Sequence, residues 1–398
     1  MDWTEVRAPT VLLKFLVAAS FLFLGCDEDP PPSPPPPPPP KLEPIAAPRS
    51  LATDSAFDLV ATSTGAALFW GQPRRVGAGI QMLELDRLGR IRSAERPLLS
   101  GDTPASGGTP SEQPADVVEL AAAFGGGRYG VAWVLREPFR LRVQGALGRQ
   151  DGTFGPPIDF GTTEMRTTGR RGHLALAAAA NGTLSLVARG VTKPCSEGRC
   201  TEFSVQRMGE AGDALVGVPL LVPNPCRAAV TGHLNIRNTW YYAVCAKEHG
   251  VPVTTLYATQ SEPEYVHTER LLPGCSPLGM TAGPEGVVHL ADCEGRLEGV
   301  EVEAAGRRRN AFKKLEVKAP CVDGHPMLEI VSSEGHDRKF PLRGPKSRVE
   351  SLLPSEITPP RTRAVWTGDA LLLAYPLAGD VGLRRYECRS GHLMQTNE

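Results

Sequence analysis

Nine cysteines form the clearest chemical pattern in this sequence, and eight of them lie after residue 190. An even number of cysteines in an exported chain is typical of a disulfide framework, and the export signal is described below. Three pairs are separated by 5, 19 and 18 residues, and the last two cysteines remain for a fourth pair. We therefore predict the disulfides Cys195–Cys200, Cys226–Cys245, Cys275–Cys293 and Cys321–Cys388.

Zinc binding is the alternative chemistry for cysteine pairs. None of the predicted pairs has a C-x-x-C spacing, and an oxidising compartment disfavours the free thiolates that zinc requires. We therefore expect disulfides, which for loops of this size contribute about 3 kcal/mol each through the unfolded state.

The histidines and carboxylates are scattered along the chain. The tripeptide Gly-His-Leu recurs at 172–174, 232–234 and 391–393. These copies could form a ring of imidazoles around a metal, but the third falls in a different part of its repeat, so we interpret them as strand entries. Asp323, His325 and Glu329 could form a metal or acid–base cluster, although many polar turns have this composition. We predict no metal site and no cofactor.

The sequence contains no GxSxG elbow, HExxH, Walker loop or EF-hand loop, and we assign no catalytic residue. The densest basic run is Arg307–Arg309 with Lys313 and Lys314. We predict a solvated hairpin tip there, with contact to a phosphate, a lipopolysaccharide or an acidic partner as the alternative. The aromatic run Trp240–Tyr242 lies in an apolar strand, which favours a core position over a sugar-stacking platform.

The elements that must position these residues follow an N-terminal export signal. Arg7 and Lys14 precede Phe15–Leu24, an apolar stretch without a charge. Ten residues of helix rise about 15 Å, which is too short for the roughly 30 Å core of a bilayer. A positive segment before a short apolar segment is the layout of a signal peptide, which we place at residues 1–25.

The segment Leu24-Gly25-Cys26 resembles the lipobox of bacterial lipoproteins, in which a small residue precedes an invariant cysteine. The resemblance implies that Cys26 is lipidated through its sulfur and becomes the mature N-terminus. Family members usually carry Leu three residues before the cysteine and a small residue two before it, where this chain has Phe23 and Leu24. The alternative is a plain secretory signal peptide with an incidental cysteine.

We predict that residues 26–49 form a disordered, acidic and proline-rich linker. The run Pro30–Pro40 is interrupted by Ser33 alone. Proline favours polyproline II, with about 3.1 Å per residue, so the run would extend roughly 34 Å. A stiff stalk after a lipid site would hold a domain away from a membrane surface.

Residues 50–398 show a recurring pattern of a small-residue strand, a glycine turn and a more apolar strand. We place seven such units at 58–70, 119–133, 174–188, 228–245, 279–293, 328–340 and 363–375. A second strand–turn–strand segment follows most of them, and two hairpins per 40–50 residues are typical of a propeller blade. We predict an all-β fold, an irregular β-propeller with seven blades. Six blades are the alternative, because residues 335–360 are degenerate.

Two alanine tracts conflict with this all-β reading. Ala121–Ala123 and Leu174–Ala180 favour helix by intrinsic propensity. Such segments are too short for a stable isolated helix, and small side chains fit where the inner strands of a propeller crowd around its axis. We therefore predict strands at both tracts.

The charge balance restricts the possible partners. With 43 Lys and Arg residues against 44 Asp and Glu residues, the chain has no global positive field, and we expect no nucleic-acid binding. Sialidases share the propeller architecture, but no segment here matches their S-x-D-x-G-x-x-W box.

We expect a non-catalytic lipoprotein of the cell envelope, anchored to a membrane, that binds a protein or a glycan where propeller loops converge. The alternatives are an extracytoplasmic glycan hydrolase or lyase with its site at the channel mouth, and a structural scaffold subunit of an envelope complex.

Overall fold

The chain is folded into antiparallel strands in its computed structural model. The structure describes residues 45–46, 56–73, 78–93, 96–98, 116–137, 140–148, 152–163, 174–196, 198–208, 214–216, 219–259, 267–283, 286–303, 308–318, 321–322, 325–326, 329–332, 339–341, 362–377 and 380–396. Within these ranges we find no helix of the length and apolarity needed to cross a membrane. The predicted signal peptide, Cys26 and the proline run lie outside the described residues.

Three sheets, here called blades 1 to 3, follow the short strand β1 (Ile45–Ala46). Blade 1 contains β2 (Phe57–Thr62), β3 (Gly65–Pro73), β4 (Ala78–Asp86) and β5 (Arg96–Pro97). Blade 2 contains β6 (Asp116–Gly125), β7 (Arg128–Arg136), β8 (Leu141–Leu147) and β9 (Ile158–Thr163). Blade 3 contains β10 (Leu174–Ala178), β11 (Leu184–Cys195), β12 (Gly198–Met208), β13 (Ala214–Val216) and β14 (Leu220–Pro223).

Three further sheets, blades 4 to 6, complete the ring. Blade 4 contains β15 (Pro225–Ile236), β16 (Thr239–Glu248), β17 (Val251–Thr259) and β18 (His267–Leu271). Blade 5 contains β19 (Ser276–Ala282), β20 (Gly286–Cys293), β21 (Arg296–Glu303) and β22 (Arg308–Phe312). An insertion follows, with β23 (Leu315–Lys318), β24 (Cys321–Val322), β25 (His325–Pro326), β26 (Glu329–Ser332) and β27 (Lys339–Pro341). Blade 6 contains β28 (Arg363–Trp366), β29 (Leu371–Leu377), β30 (Asp380–Arg389) and β31 (His392–Thr396).

The ring is closed by apolar contacts between each pair of neighbouring blades. Separate buried clusters join blades 1 and 2, 2 and 3, 3 and 4, 4 and 5, 5 and 6, and 6 and 1. The cluster between blades 5 and 6 places Leu290 against Leu371 and Leu373. The fold is therefore a six-bladed β-propeller.

The prediction of seven blades is wrong. The unit at 328–340 forms β26 and β27, which pair with β23 in a small sheet rather than in a four-stranded blade. Because blades 5 and 6 already pack directly against each other, no interface in the ring is left for another blade. Six blades, the alternative reading of the sequence, is correct.

The alanine tracts form strands, as predicted. Ala121–Ala123 lie in β6, and Leu174–Ala178 form β10, the inner strands of blades 2 and 3. Their side chains are buried between neighbouring blades. Tertiary packing therefore overrides the helical preference of alanine at both tracts.

Both ends of the described chain contribute to the outer edge of blade 6. Strand β1 pairs with β30 at Gly382 and Leu383, and β31 pairs with the rest of β30 from Arg385 onward. Strand β1 falls inside the segment 26–49, which was predicted to be linker, so the sheet begins before the predicted boundary at residue 50. The terminal segment thus adds its backbone to the last blade.

Buried Arg385 ties blade 6 to blade 1. Its Nη1 donates to the carbonyl oxygen of Leu88 at 2.9 Å, and its Nε donates to Thr396 Oγ1 at 2.8 Å. The same guanidinium lies 2.8 Å from a carboxylate oxygen of Glu387. A single cationic side chain therefore links the C-terminal strand, β30 and the first blade.

Four disulfides join the cysteines that the spacing pairs. They are Cys195–Cys200, Cys226–Cys245, Cys275–Cys293 and Cys321–Cys388. The first closes the β11–β12 hairpin, and the next two connect the start of the first strand to the end of the second strand in blades 4 and 5. The fourth attaches β24 of the insertion to β30 of blade 6, so the insertion is linked covalently to the ring.

The turns of blades 2 and 3 approach each other at two glycines. A Cβ atom on Gly126 would lie 2.3 Å from the backbone nitrogen of Gly182. Gly126 also has a φ of +58°, and its neighbour Gly127 has a φ of +78° with nothing within 4 Å of its Cβ position. A side chain at Gly126 would therefore clash with the backbone of blade 3, whereas a side chain at Gly127 would not.

We expect Gly126→Ala to destabilise the protein more than Gly127→Ala does. Both variants place a side chain in the left-handed region, at a cost of about 1–2 kcal/mol. Gly126→Ala adds an inter-blade clash of about 1–3 kcal/mol. Denaturant unfolding of the two variants measures the difference, and equal losses would contradict the close approach of the turns.

Candidate functional site

A cavity of about 300 Å³ lies within the ring and is lined by residues of all six inner strands. These strands are β2, β6, β10, β15, β19 and β28, and each lies at the end of its sheet, with one edge unpaired by another strand. The axial cavity is therefore bounded by sheet edges as well as by side chains. It is the candidate site that the fold presents.

Asp58 is a buried carboxylate in the wall of the axial cavity that contacts two neighbouring blades. Its Oδ1 lies 3.0 Å from Nε of Arg363 in blade 6 and accepts from the amide of Leu59 at 3.1 Å. Its Oδ2 accepts from the amide of Ala122 in blade 2 at 2.8 Å. Because both oxygens are engaged, Asp58 joins blades 6, 1 and 2.

Two other buried polar side chains make the same kind of contact. The amide of Leu174 in blade 3 donates to Oε1 of Glu119 in blade 2 at 3.1 Å. In blade 4, Nδ1 of His233 lies 3.4 Å from the carbonyl oxygen of Ala175 in blade 3. These side chains provide hydrogen bonds to inner-strand peptide groups that have no neighbouring strand.

His233 is neutral at physiological pH. A carbonyl oxygen only accepts hydrogen bonds, so the contact with Ala175 assigns the proton of the neutral ring to Nδ1. The pKa of His233 is lowered to about 4, chiefly by burial and also by the nearby Arg207 guanidinium, while the hydrogen bond to the Ala175 carbonyl opposes this shift. The ring lies between the aromatic rings of Trp240 and Tyr242.

The other polar side chains of the wall are uncharged. The hydroxyl of Thr231 donates to the carbonyl oxygen of Ala243 at 3.3 Å, and the amide of Asn235 donates to the carbonyl oxygen of Thr239 at 3.4 Å. Alanine, leucine and valine side chains occupy much of the remaining wall, and Phe124 lies at the end of β6. The wall thus alternates small apolar surface with hydrogen-bonding groups.

The three Gly-His-Leu copies do not converge. His233 is buried between blades, whereas His392 is exposed on the outer strand of blade 6. The histidine of the first copy lies outside the described residues. Within the part of the chain that the structure describes, no group of three or more His, Cys, Asp or Glu residues could hold a metal ion.

The other candidate residues are spread over the fold. His325 and Glu329 lie on β25 and β26 of the insertion, and Asp323 lies outside the described residues. Trp240–Tyr242 are buried, as the sequence predicted. Lys313 and Lys314 are exposed, but Arg308 and Arg309 lie in strand β22 rather than at a hairpin tip. Arg307 lies outside the described residues.

Sequence reasoning missed the residues that join the inner strands. Asp58 is the lone charge in the strand Phe57–Thr62, and Arg363 opens the strand Arg363–Trp366. A single charge in an otherwise buried strand is the signal that could have identified both. The ion pair between them could not be predicted, because Asp58 and Arg363 become neighbours only when blade 6 packs against blade 1.

No protein-family model matches this chain, and no curated protein sequence matches it. Solved structures with a similar fold include the β-propeller domain of the trilobed protease from Pyrococcus furiosus, at 9% identity and a TM-score of 0.43, covering 88% of this chain and 97% of that one. A prolyl endopeptidase aligns at 12% identity and a TM-score of 0.44, covering 86% and 49%. The six-bladed lectin of Aleuria aurantia aligns at 11% identity and a TM-score of 0.38, covering 88% and 97%. These similarities concern the fold alone.

The chain is therefore a six-bladed β-propeller with four disulfides and an axial cavity. The charged side chains of the cavity wall are engaged with neighbouring blades.

We expect Asp58→Asn to destabilise the protein by about 3–5 kcal/mol, because it removes the negative charge that lies 3.0 Å from the buried Arg363 guanidinium. The matched control is Glu137→Gln in the more exposed Arg140–Glu137 pair, which should cost less than about 1 kcal/mol. Denaturant unfolding at pH 7 tests both variants. A loss below about 1 kcal/mol for Asp58→Asn would show that Asp58 does not hold the blades together.

We also expect the free energy of unfolding to fall as the pH drops from about 6.5 to 4. Burial lowers the pKa of His289 to about 4, as it does for His233, while an unfolded histidine titrates near 6.5. The unfolded state therefore binds more protons in this window, and each histidine contributes a loss of up to about 3 kcal/mol. Denaturant unfolding of wild type, His289→Leu and the exposed control His392→Leu at pH 7 and pH 4.5 measures the effect. Only His289→Leu should reduce the acid loss, and an unchanged loss in that variant would rule out His289 as its source.

Proposed function

We propose that this chain is a lipid-anchored envelope protein that binds a protein or a glycan through the axial cavity and the loops around it, without catalysing a reaction. The axial cavity is preformed and is lined by every blade, as a ligand site commonly is.

The observation that carries this proposal is the engagement of the ionisable groups in the cavity wall. Asp58 and Arg363 form an ion pair, and Asp58 also accepts from the amide of Ala122. His233 is bound to the carbonyl of Ala175 and stays neutral. The wall therefore offers shape and hydrogen bonds to a ligand rather than a free acid and base.

Glycoside hydrolysis makes a useful contrast. Most glycosidases require two carboxyl groups on either side of the scissile bond, at about 5–10 Å from each other. Among the described residues that line the axial cavity, Asp58 is the carboxylate, and both of its oxygens are engaged. This supports binding in preference to hydrolysis.

The anchor in this proposal is Cys26, followed by the proline run Pro30–Pro40. A stalk of this composition is extended and stiff, so a membrane-bound propeller would present its cavity and loops at a distance from the lipid surface. The binding role and the anchor are separate parts of the proposal, and one experiment can separate them.

Cross-linking in intact envelopes tests both parts, with wild type, Cys26→Ser, Thr231→Trp and Leu221→Trp compared. Thr231 is a partly exposed residue of the cavity wall, whereas Leu221 is exposed on the outer strand β14. We expect Cys26→Ser to lose incorporation of labelled palmitate and to leave the membrane fraction. We expect Thr231→Trp to reduce cross-linking at least tenfold, and Leu221→Trp to leave it unchanged.

Each contrary result has a defined meaning. Undiminished palmitate incorporation in Cys26→Ser would overturn the anchor. Cross-linking that is lost in Leu221→Trp but kept in Thr231→Trp would indicate a scaffold that uses the side of a blade. Chemical cleavage of the captured glycan by the wild-type chain would indicate an enzyme.

A further inference from the structure

The first argument for a ligand class is the charge of the cavity wall. Among the described residues that line the wall, the ionisable side chains are Asp58, Arg363 and His233. Asp58 and Arg363 neutralise each other at 3.0 Å, and His233 is uncharged at neutral pH. An ion of either sign would leave water without gaining a counter-charge, which is strongly unfavourable. The axial cavity therefore favours an uncharged ligand.

The second argument is the hydrogen-bonding character of the wall. Among the described strands, each of the six inner strands is the last strand of its sheet, and the edge of a sheet carries both N–H donors and C=O acceptors. Polar side chains from neighbouring blades occupy some of these groups, as at the amides of Ala122 and Leu174. Thr231 and Asn235 add further polar atoms to the wall. A ligand that matches this wall carries groups that both donate and accept, as hydroxyls do.

The third argument is the size and the apolar part of the cavity. Its volume of about 300 Å³ corresponds to the liquid volume of roughly ten water molecules. Small apolar side chains, including Ala123, Ala177 and Val60, lie between the polar groups. A ligand with a C–H face and several hydroxyls, about a dozen non-hydrogen atoms in size, satisfies both kinds of surface.

We propose that the axial cavity binds one uncharged sugar ring. This inference rests on the proposed binding function and specifies its ligand class. The C–H face of the ring would pack on the alanine and leucine side chains, and its hydroxyls would bond to the inner-strand edges, Thr231 and Asn235. A larger glycan would enter this cavity with a terminal residue.

Ligand-observed NMR on the purified full chain in detergent, at pH 7, tests this with matched sugars. The uncharged probes are glucose, galactose and N-acetylglucosamine, and the ionised probes are glucuronate, galacturonate and glucosamine. We expect at least one uncharged sugar to bind, and its ionised counterpart to bind at least tenfold more weakly.

Protein variants test the position of the site. Thr231→Trp and Leu278→Trp, both in the cavity wall, should each weaken binding of the sugar at least tenfold. Leu221→Trp, on the outer strand, should change it less than twofold. Circular dichroism and melting temperature identify any variant that fails to fold, and the second wall variant then replaces it.

Two outcomes would overturn the inference. One is equal or tighter binding of the ionised sugars, and the other is no binding of any uncharged sugar, which would leave water as the occupant. If envelope cross-linking still depends on Thr231 while the sugars fail, the sugar class is wrong and the binding function stands. If that cross-linking is absent as well, the proposed function itself fails.

Discussion

The unpaired edge of each inner strand is the constraint on which this structure depends. Six strands meet around one axis, and each has peptide groups that no neighbouring strand can satisfy. Buried peptide groups require a partner, and here side chains of adjacent blades provide several of them. Asp58, Glu119 and His233 each contact the backbone of a neighbouring blade: Asp58 and Glu119 that of the following blade, and His233 that of the preceding one. Buried polar side chains therefore stabilise the contacts between the inner strands of neighbouring blades.

Two of these polar side chains, Asp58 and His233, also line the axial cavity. Both oxygens of Asp58 and Nδ1 of His233 contact neighbouring blades or the adjoining backbone. Breaking such a buried arrangement costs more than an exposed ion pair contributes. The contacts that close the ring therefore also line the axial cavity, so the stability of the ring and the shape of the cavity depend on the same side chains.

Much of the fold was predictable because its signals are local. The strand–glycine–strand pattern identified the first hairpin of all six blades, and the cysteine spacings identified pairs that close within a hairpin or a blade. The number of blades, in contrast, depends on contacts between residues that are far apart in the sequence. Residues 328–340 have the pattern of a hairpin, but whether a hairpin reaches the axis depends on Leu290 and Leu371 meeting across blades 5 and 6. The site was hidden for the same reason, since Asp58 and Arg363 become neighbours only when the ring closes.

The two-residue strand β1 has a mechanical consequence for a chain held at its N-terminus. Tension applied ahead of Ile45 reaches the propeller first through the pairing of β1 with β30, which involves only two residues. Blade 6 keeps the longer strand β31, the Cys321–Cys388 crosslink and the Arg385 contact with blade 1 when β1 peels away. If the chain is anchored through its N-terminus as proposed, a pulling force would therefore detach β1 before it opens the ring.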